Sequence, residues 1–135
     1  AKDTNIMTMK RVLVIDDEDV VQEVIQGCLE DVGGWETLLA GSGSEGLIIA
    51  TNELPDVILL DVSMPDIDGV ETFQKLQENP TTKDIPVVLL TAKIQPADRD
   101  RFSQLGIVGM IAKPFDPIML ASQVAAMLGW EFETI

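Results

Sequence analysis

Five short apolar segments recur along the chain, and the stretches between them place apolar residues at helical spacing. The segments lie at residues 11–15, 35–40, 57–60, 86–90 and within 106–112. Short continuous runs of branched apolar residues, closed by polar or turn-forming residues, are typical of strands buried on both faces. The pattern therefore predicts five buried strands.

Helices are predicted between these strands and after the last one. Ile25 and Leu29 belong to the apolar stripe of the first helix, which ends at Gly33. Further helices are predicted at about residues 47–51, 69–77, 96–105 and 116–128. Asp116 and Pro117 are expected to open the last one. This alternation predicts an α/β fold, a doubly wound parallel sheet with helices on both faces, and the flavodoxin-like strand order 2-1-3-4-5.

Carboxylates follow the first and third strands, which are neighbours in this order. Asp16 and Asp17 come directly after the first strand, and Asp61 ends the third. A carboxylate at the end of a buried strand needs a cation, a proton or hydrogen-bond donors, although Asp61 taken alone also fits a surface turn cap. Three carboxylates at one edge repel one another. Mg²⁺, which prefers oxygen ligands, would relieve this repulsion.

A hydroxyl and an ammonium reach the same edge of the predicted sheet. Thr91 ends the fourth strand, and Lys113 ends the fifth. Taken alone, Thr91 also fits a turn hydroxyl and Lys113 also fits a solvated surface lysine. Suitable polar groups at four separate strand ends nevertheless favour a functional site. Phosphoryl transfer to Asp61 is predicted, because this chemistry mainly needs positioning and charge neutralisation.

The charge of the chain narrows the class of partner. Its 135 residues fit one domain and carry a formal net charge of -14. Phosphate binding needs clustered Lys and Arg, so neither nucleic acid nor an anionic membrane is expected as a partner. The single cysteine, Cys28, indicates a reducing compartment, and no apolar run has the length of a membrane span. A cytoplasmic protein is therefore expected.

A glycine-rich segment offers a competing interpretation. Residues 41–46 match the dinucleotide pattern G-x-G-x-x-G, and Asp61 lies near the spacing of a ribose-binding acid. Ser42 and Glu45 equally form a capping box that would start a helix. A complete strand-helix unit precedes the segment, which disfavours a flavin or dinucleotide carrier without excluding it.

Four ordered motifs resemble the receiver domains of two-component response regulators. They are the pair Asp16-Asp17, LLDVSMPDIDG at residues 59–69, LLTA at residues 89–92 and AKPF at residues 112–115. The resemblance covers about residues 10–129. It implies a receiver domain at residues 10–129 and leaves a short tail at 130–135. The polar residues 1–9 are expected to form a flexible lead-in.

The resemblance also implies a role for each acidic residue. Asp61 would be the phosphoacceptor, and Asp17 together with Asp61 would bind Mg²⁺. Asp16 would hold a water of the metal, and Ser63 would offer its backbone carbonyl to it. Asp61 would take the phosphoryl group from a donor and later lose it by autodephosphorylation, without general turnover as an enzyme.

The remaining family positions concern the phosphoryl group and the switch. Thr91 and Lys113 would hold the phosphoryl group, and the Lys113-Pro114 bond is expected to be cis, as is usual in the family. Met110 stands where the family usually has an aromatic switch residue. Ser63 and Lys93 occupy two variable positions that tune how long the phosphoryl group lasts in this family. Met110, Lys93 and Pro114 are therefore assigned to a switch or partner face.

The expected partners are all proteins. The resemblance implies a histidine kinase or histidine phosphotransfer protein as donor. No output domain is recognised after residue 128, so a stand-alone, single-domain receiver is expected. Its output would be contact with an unknown downstream protein. The helix at 96–105, the fifth strand and the last helix form a candidate partner or homodimer face. The alternative is that the last helix is apolar because it is well sunk in the core. Val20 and Val24 add an apolar edge near the acidic turn, either as core or as a docking surface.

Two other functions stay open. A Mg²⁺-dependent phosphohydrolase would use the same aspartyl nucleophile, but such enzymes typically carry a second Asp two residues later, where Ser63 stands. A pseudo-receiver that binds proteins without being phosphorylated is the other alternative, and the complete set of site residues disfavours it.

Overall fold

One parallel sheet organises the protein. The computed structural model describes residues 10–62, 69–91, 100 and 106–130. The strands are β1 (Arg11–Ile15), β2 (Glu36–Ala40), β3 (Val57–Asp61), β4 (Val87–Thr91) and β5 (Gly109–Ala112). The helices of the described residues are α1 (Asp19–Asp31), α2 (Gly43–Glu53), α3 (Gly69–Glu78) and α4 (Leu120–Leu128). All five predicted strands are confirmed.

The strands lie in the order β2-β1-β3-β4-β5, and all neighbours are parallel. This is the predicted flavodoxin-like order, so the predicted fold class is confirmed. Ile15 stands opposite Ala40 on one side and Leu60 on the other, and Asp61 stands opposite Leu90. The residues that follow β1 therefore come level with the end of β3.

Helices cover both faces of the sheet, which explains why its inner strands are apolar at consecutive positions. On one face, α1 and α4 pack against Val12, Val14, Val57, Leu59, Val88 and Leu90. On the other face, α2 and α3 pack against Leu13, Ile15, Ile58, Leu60 and Leu89. Successive side chains of a strand point to opposite faces of the sheet. Because both faces are buried, the sequence of these strands shows a continuous apolar run and no alternation of apolar and polar residues.

The last helix begins later than predicted. Its first residue is Leu120, whereas the sequence favoured an opening at Asp116 and Pro117. Asp116 Oδ1 accepts a hydrogen bond from the Ile118 N–H at 2.9 Å, and the Asp116 carbonyl accepts one from the Met119 N–H at 3.0 Å. These bonds form a turn before the helix, because an aspartate side chain competes for nearby backbone donors.

The glycine-rich segment starts α2. Ser42 Oγ accepts a hydrogen bond from the Glu45 N–H at 3.1 Å, and Glu45 Oε1 accepts one from the Gly41 N–H at 2.6 Å. Ser42 therefore caps the helix as predicted, whereas the Glu45 carboxylate bonds the N–H of Gly41 and not that of Ser42, as a complete capping box would require. Gly46 lies so close to the Ile15 side chain that a methyl group would overlap it. The absence of a side chain at this position lets α2 approach β1.

Some predictions fall outside the described residues. They concern the helix expected at 96–105 and the candidate site residues Ser63 and Lys93. In the described ranges, none of the helices combines the length and the apolar character needed to cross a bilayer.

Trp130, which the sequence assigned to the C-terminal tail, packs against the core. Its ring centroid lies 5.2 Å from that of Trp35 in an edge-to-face arrangement. The Lys10 ammonium lies 4.8 Å from the Trp130 ring centroid. Residues near the two ends of the described chain therefore meet beside the core.

We expect Gly46→Ala to destabilise the protein and Gly27→Ala, in the middle of α1, to stabilise it. A methyl group at residue 46 would overlap the fully buried Ile15 side chain, whereas nothing lies within 4 Å of one at residue 27. Overpacking costs about 1–3 kcal/mol, and alanine in place of a helical glycine contributes about 0.5–1 kcal/mol. Urea unfolding of both variants measures the change. An unchanged free energy of unfolding for Gly46→Ala would contradict the close packing of α2 on β1.

Candidate functional site

Three of the predicted carboxylates meet at the carboxyl ends of β1 and β3. Asp16 is fully buried, Asp61 is 4% exposed and Asp17 is exposed. One oxygen atom of each lies within 4.8 Å of the others. They come together because β1 and β3 are adjacent and end at the same level.

An ammonium group bridges the two buried carboxylates. Lys113 Nζ lies 2.9 Å from Asp16 Oδ2 and 3.3 Å from Asp61 Oδ1. Lys113 follows β5, and its backbone N–H donates to the Thr91 carbonyl at 2.8 Å. This bond fixes the backbone of Lys113 beside the end of β4, and the long side chain reaches the carboxylates from there.

The pKa of Lys113 is raised above the ordinary value of lysine. Burial by itself lowers the pKa, because a charged amine loses hydration. The hydrogen bond to Asp16 and the charges of Asp16 and Asp61 raise it and together outweigh the burial. The amine is therefore held as a cation between the two carboxylates.

The turn between β1 and α1 is held by Asp16 itself. Asp16 Oδ1 accepts a hydrogen bond from the Glu18 N–H at 2.9 Å. Glu18 occupies the N-cap position of α1 without a side-chain bond to the helix, and Asp19 lies in the first turn. A carboxylate in the first turn favours the positive end of the helix dipole. Asp16 thus has a structural role as well as a place in the carboxylate cluster.

The other predicted residues lie around this centre. Thr91 is buried and ends β4, opposite Ala112. Met110 is half-buried in β5 and packs on the face of the sheet that α2 and α3 cover. The Lys113-Pro114 peptide bond is cis, as expected. The sheet therefore brings Thr91 and Lys113 to the edge that carries the carboxylates.

The three carboxylates suit a hard divalent cation. Their oxygens are the ligands that Mg²⁺ prefers, and the exposed Asp17 leaves one side accessible to water. Three carboxylates and one ammonium leave two negative charges, which a divalent cation would balance. The residues present therefore fit Mg²⁺.

The sequence interpretation missed Gln22. Its side chain is only 9% exposed, and Nε2 donates to the carbonyls of Asp16 at 2.7 Å and Ala40 at 2.8 Å. The signal was its position, three residues before Ile25 and seven before Leu29, both fully buried. A polar residue therefore interrupts the buried stripe of α1 next to the carboxylates.

An open apolar groove lies beside the centre. It has a volume of about 440 Å³ and runs between the first half of α1 and the segment after β5. Its walls include Val20, Val21, Val24, Lys113, Pro114 and Phe115. Val20 is 72% exposed and Val24 is 39% exposed, so the apolar edge noticed in the sequence lies at the surface.

Solved structures of signalling receivers share this fold. The chemotaxis protein CheY4 of Vibrio cholerae matches with a TM-score of 0.83 and 29% identity, covering 89% of this chain and 99% of that one. The receiver domain of a signal transduction histidine kinase from Syntrophus aciditrophicus matches with a TM-score of 0.78 and 32% identity, covering 89% and 90%. The fold and the acidic edge therefore define a CheY-like receiver.

The family follows from the sequence comparisons. The model of the response regulator receiver domain matches residues 12–125, and the chain belongs to that family. Response regulator Rre1 of Synechocystis sp. is 37% identical over 86% of this chain and 50% of its own length. Response regulator PleD of Caulobacter vibrioides is 38% identical over 87% and 26%. The chain thus spans half or less of the length of these curated relatives. Receiver domains are signalling modules that accept phosphoryl groups from histidine kinases.

We expect the stabilising contribution of Lys113 to disappear at high pH. Because its pKa is raised in the folded protein, the contribution is complete below the unfolded-state pKa of about 10.4 and is lost as the pH rises through the folded-state pKa. The free energy of unfolding of the wild type, minus that of Lys113→Met, should stay constant up to about pH 9.5 and then fall. Denaturant unfolding across this range measures the difference.

The exposed Lys83 provides the control for this experiment. Lys83→Met removes one positive charge without touching the carboxylate cluster, so it corrects for the change in net charge. A Lys113→Met difference that does not fall above the unfolded-state pKa would contradict the ion pairs described for the ammonium.

Proposed function

We propose that this chain is a phosphoacceptor in a two-component or phosphorelay pathway. A histidine kinase or histidine phosphotransfer protein would donate to Asp61 in the presence of Mg²⁺, and the modified chain would signal through a changed protein-binding surface. The observation that carries the proposal is the buried Asp61 carboxylate, 3.3 Å from the Lys113 ammonium, within a cluster of three carboxylates.

Each site residue has a part in the transfer. A carboxylate oxygen of Asp61 attacks phosphorus while the P–N bond of the donor phosphohistidine breaks and its electron pair returns to the imidazole. Lys113 neutralises charge on the phosphoryl oxygens, and the Thr91 hydroxyl donates to them. Asp17 and Asp61 would hold the cation, and Asp16 would hold one of its waters. When bound, Mg²⁺ supplies further neutralisation of the phosphoryl and carboxylate charges.

Two residues outside the described part complete the proposed chemistry. Ser63 would add its backbone carbonyl to the ligands of the metal, and Lys93 would influence how long the phosphoryl group lasts. Ser63 lies within the family motif at residues 59–69, and Lys93 follows the motif at residues 89–92 at a position that varies in the family.

The output would use the carboxyl-terminal half of the domain. Met110 and Pro114 lie on and just after β5, beside the proposed phosphoryl site. Four residues of α4, namely Leu120, Ala121, Val124 and Ala125, are buried in the core, so only the outer side of that helix is available. A partner or homodimer face formed by residues 96–105, β5 and α4 stays a prediction, which light scattering of the labelled and unlabelled chain tests.

The apolar groove provides a docking place for the phosphodonor. Transfer requires the donor histidine to come within bonding reach of Asp61, so the donor must rest on the surface next to the site. Lys113, which contacts Asp61, also lines the groove. Exposed apolar residues beside a polar centre are typical of an interaction surface. We therefore propose that an apolar surface of the donor protein rests on Val20 and Val24.

We expect one phosphoryl adduct, on Asp61, after incubation with acetyl phosphate and Mg²⁺. Intact-mass spectrometry should show the mass of a single phosphoryl group on the wild type and none on Asp61→Asn, because the carboxylate oxygen that attacks phosphorus is missing. Chelation of the metal should also abolish the adduct, since the charge of the carboxylates is then uncompensated.

Asp56 offers a matched control for this experiment. It is exposed at the opposite end of β3, where its carboxylate accepts a hydrogen bond from the Arg11 N–H at 2.8 Å. Asp56→Asn should be labelled like the wild type. An adduct that survives in Asp61→Asn, or no adduct under any condition, would contradict the proposed function.

We expect Val20→Glu to slow transfer from a phosphohistidine protein but not from acetyl phosphate. A charge in the apolar groove opposes docking of the donor, whereas a small donor needs no groove, and a loss of about ten-fold or more is expected. The measurement is the initial rate of labelling by any purified phosphohistidine protein that labels the wild type. Ile48→Glu, at a 63% exposed residue of α2, is the control. Equal slowing by the two variants would contradict docking in the groove.

A further inference from the structure

We propose that Gln22 is a positioning residue for the cation site. The geometry indicates that its side-chain amide fixes the peptide between Asp16 and Asp17 and thereby sets the affinity of the three carboxylates for a divalent cation. This inference rests on the proposed function, because it assigns a role to the same carboxylates.

Gln22 joins two carbonyls at the carboxyl edge of the sheet. Its Nε2 donates to the Asp16 carbonyl at 2.7 Å and to the Ala40 carbonyl at 2.8 Å. The paired region of β1 and β2 ends at Ile15 and Ala40, so the Asp16 carbonyl lies beyond the ladder. A buried carbonyl without a partner is costly, and Gln22 supplies the missing donor.

The two bonds of the turn act on the Asp16 backbone from both sides. The Asp16 N–H donates to the Ala40 carbonyl at 3.0 Å, and the Asp16 carbonyl accepts from Gln22. The peptide before Asp16 and the peptide after it are thus both anchored. The second peptide also contains the backbone nitrogen of Asp17. The orientation of this peptide therefore determines the backbone position from which the Asp17 side chain extends.

Asp17 is the carboxylate that depends most on this anchor. The Asp16 side chain is held by the Glu18 N–H and by Lys113, and Asp61 lies within β3 and contacts Lys113. Asp17 is exposed, and its side chain has no hydrogen bond or ion pair with another residue of the described ranges. Its position relative to Asp16 and Asp61 therefore follows from the backbone that Gln22 holds.

Loss of the Gln22 amide should consequently weaken cation binding while leaving Asp61 and Lys113 in place. Gln22→Met keeps the length of the side chain and removes the donor. Gln26→Met is the matched control, because Gln26 lies one turn further along α1 and its amide is 3.4 Å from the Glu30 carboxylate, away from the sheet edge. Ile25→Val controls for destabilisation of α1, since Ile25 is fully buried in the core.

The primary measurement is Mn²⁺ binding, followed by the signal of free Mn²⁺ in electron paramagnetic resonance, with Mg²⁺ as competitor. We expect Gln22→Met to bind Mn²⁺ about ten-fold or more weakly than the wild type, as is typical when a partner of a metal ligand is removed. Both control variants should stay within about two-fold of the wild type. Binding by Gln22→Met equal to that of Gln26→Met would overturn the proposal.

A second measurement separates positioning from general damage. In labelling with acetyl phosphate, Gln22→Met should need more Mg²⁺ for half of its maximal rate but should approach the wild-type rate at saturating Mg²⁺. If Gln22→Met does not fold, Gln22→Asn replaces it, because the shorter amide keeps a donor but cannot reach both carbonyls. Wild-type affinity in that variant would equally overturn the proposal.

The outcomes distinguish this inference from the proposed function. A wild type that binds Mn²⁺ but is never labelled contradicts the proposed function, while the comparison of Gln22→Met with Gln26→Met still decides the role of Gln22. A wild type that is labelled, with equal Mn²⁺ binding in both glutamine variants, overturns the role of Gln22 alone. A wild type that binds no Mn²⁺ overturns the inference.

Discussion

One ammonium group between two buried carboxylates is the interaction on which the functional end of this protein depends. Asp16 is fully buried and Asp61 nearly so, and ionised carboxylates in such places are costly unless they are paired. Lys113 contacts both of them, and its backbone is tied to Thr91 at the end of β4. Without the ammonium, two adjacent negative charges at the end of the core would lose the cation that they share. Folding and the proposed chemistry therefore rely on the same contact.

The centre combines a fixed part with an accessible one. The strands β1 and β3 are adjacent in the sheet and covered by helices on both faces, so Asp16 and Asp61 stand on rigid elements. Asp17 is exposed, and the apolar groove opens beside Lys113. A residue that accepts a group from another protein needs a well-positioned acceptor and an open approach at the same time. The membership in the receiver domain family agrees with this division.

The helix α1 connects these two parts. One side of its first half contributes Val20 and Val24 to the groove, and its buried side places Gln22 against the carbonyls of Asp16 and Ala40. The same short segment therefore faces the proposed donor and holds the turn that carries the acidic residues. An apolar residue in the place of Gln22 would suit the core equally well, but it would leave the two carbonyls without this donor.

The sequence by itself determined the strands, their order and the meeting of Asp16, Asp61 and Lys113. These features follow from local patterns, since a continuous apolar run predicts a buried strand and alternation with helices restricts the order of a parallel sheet. Only the tertiary structure decided the role of Gln22 and the exposure of Val24. The physical reason is that each depends on a neighbour that periodicity does not specify. Gln22 bonds a carbonyl 18 residues away, which comes near only because β1 pairs with β2.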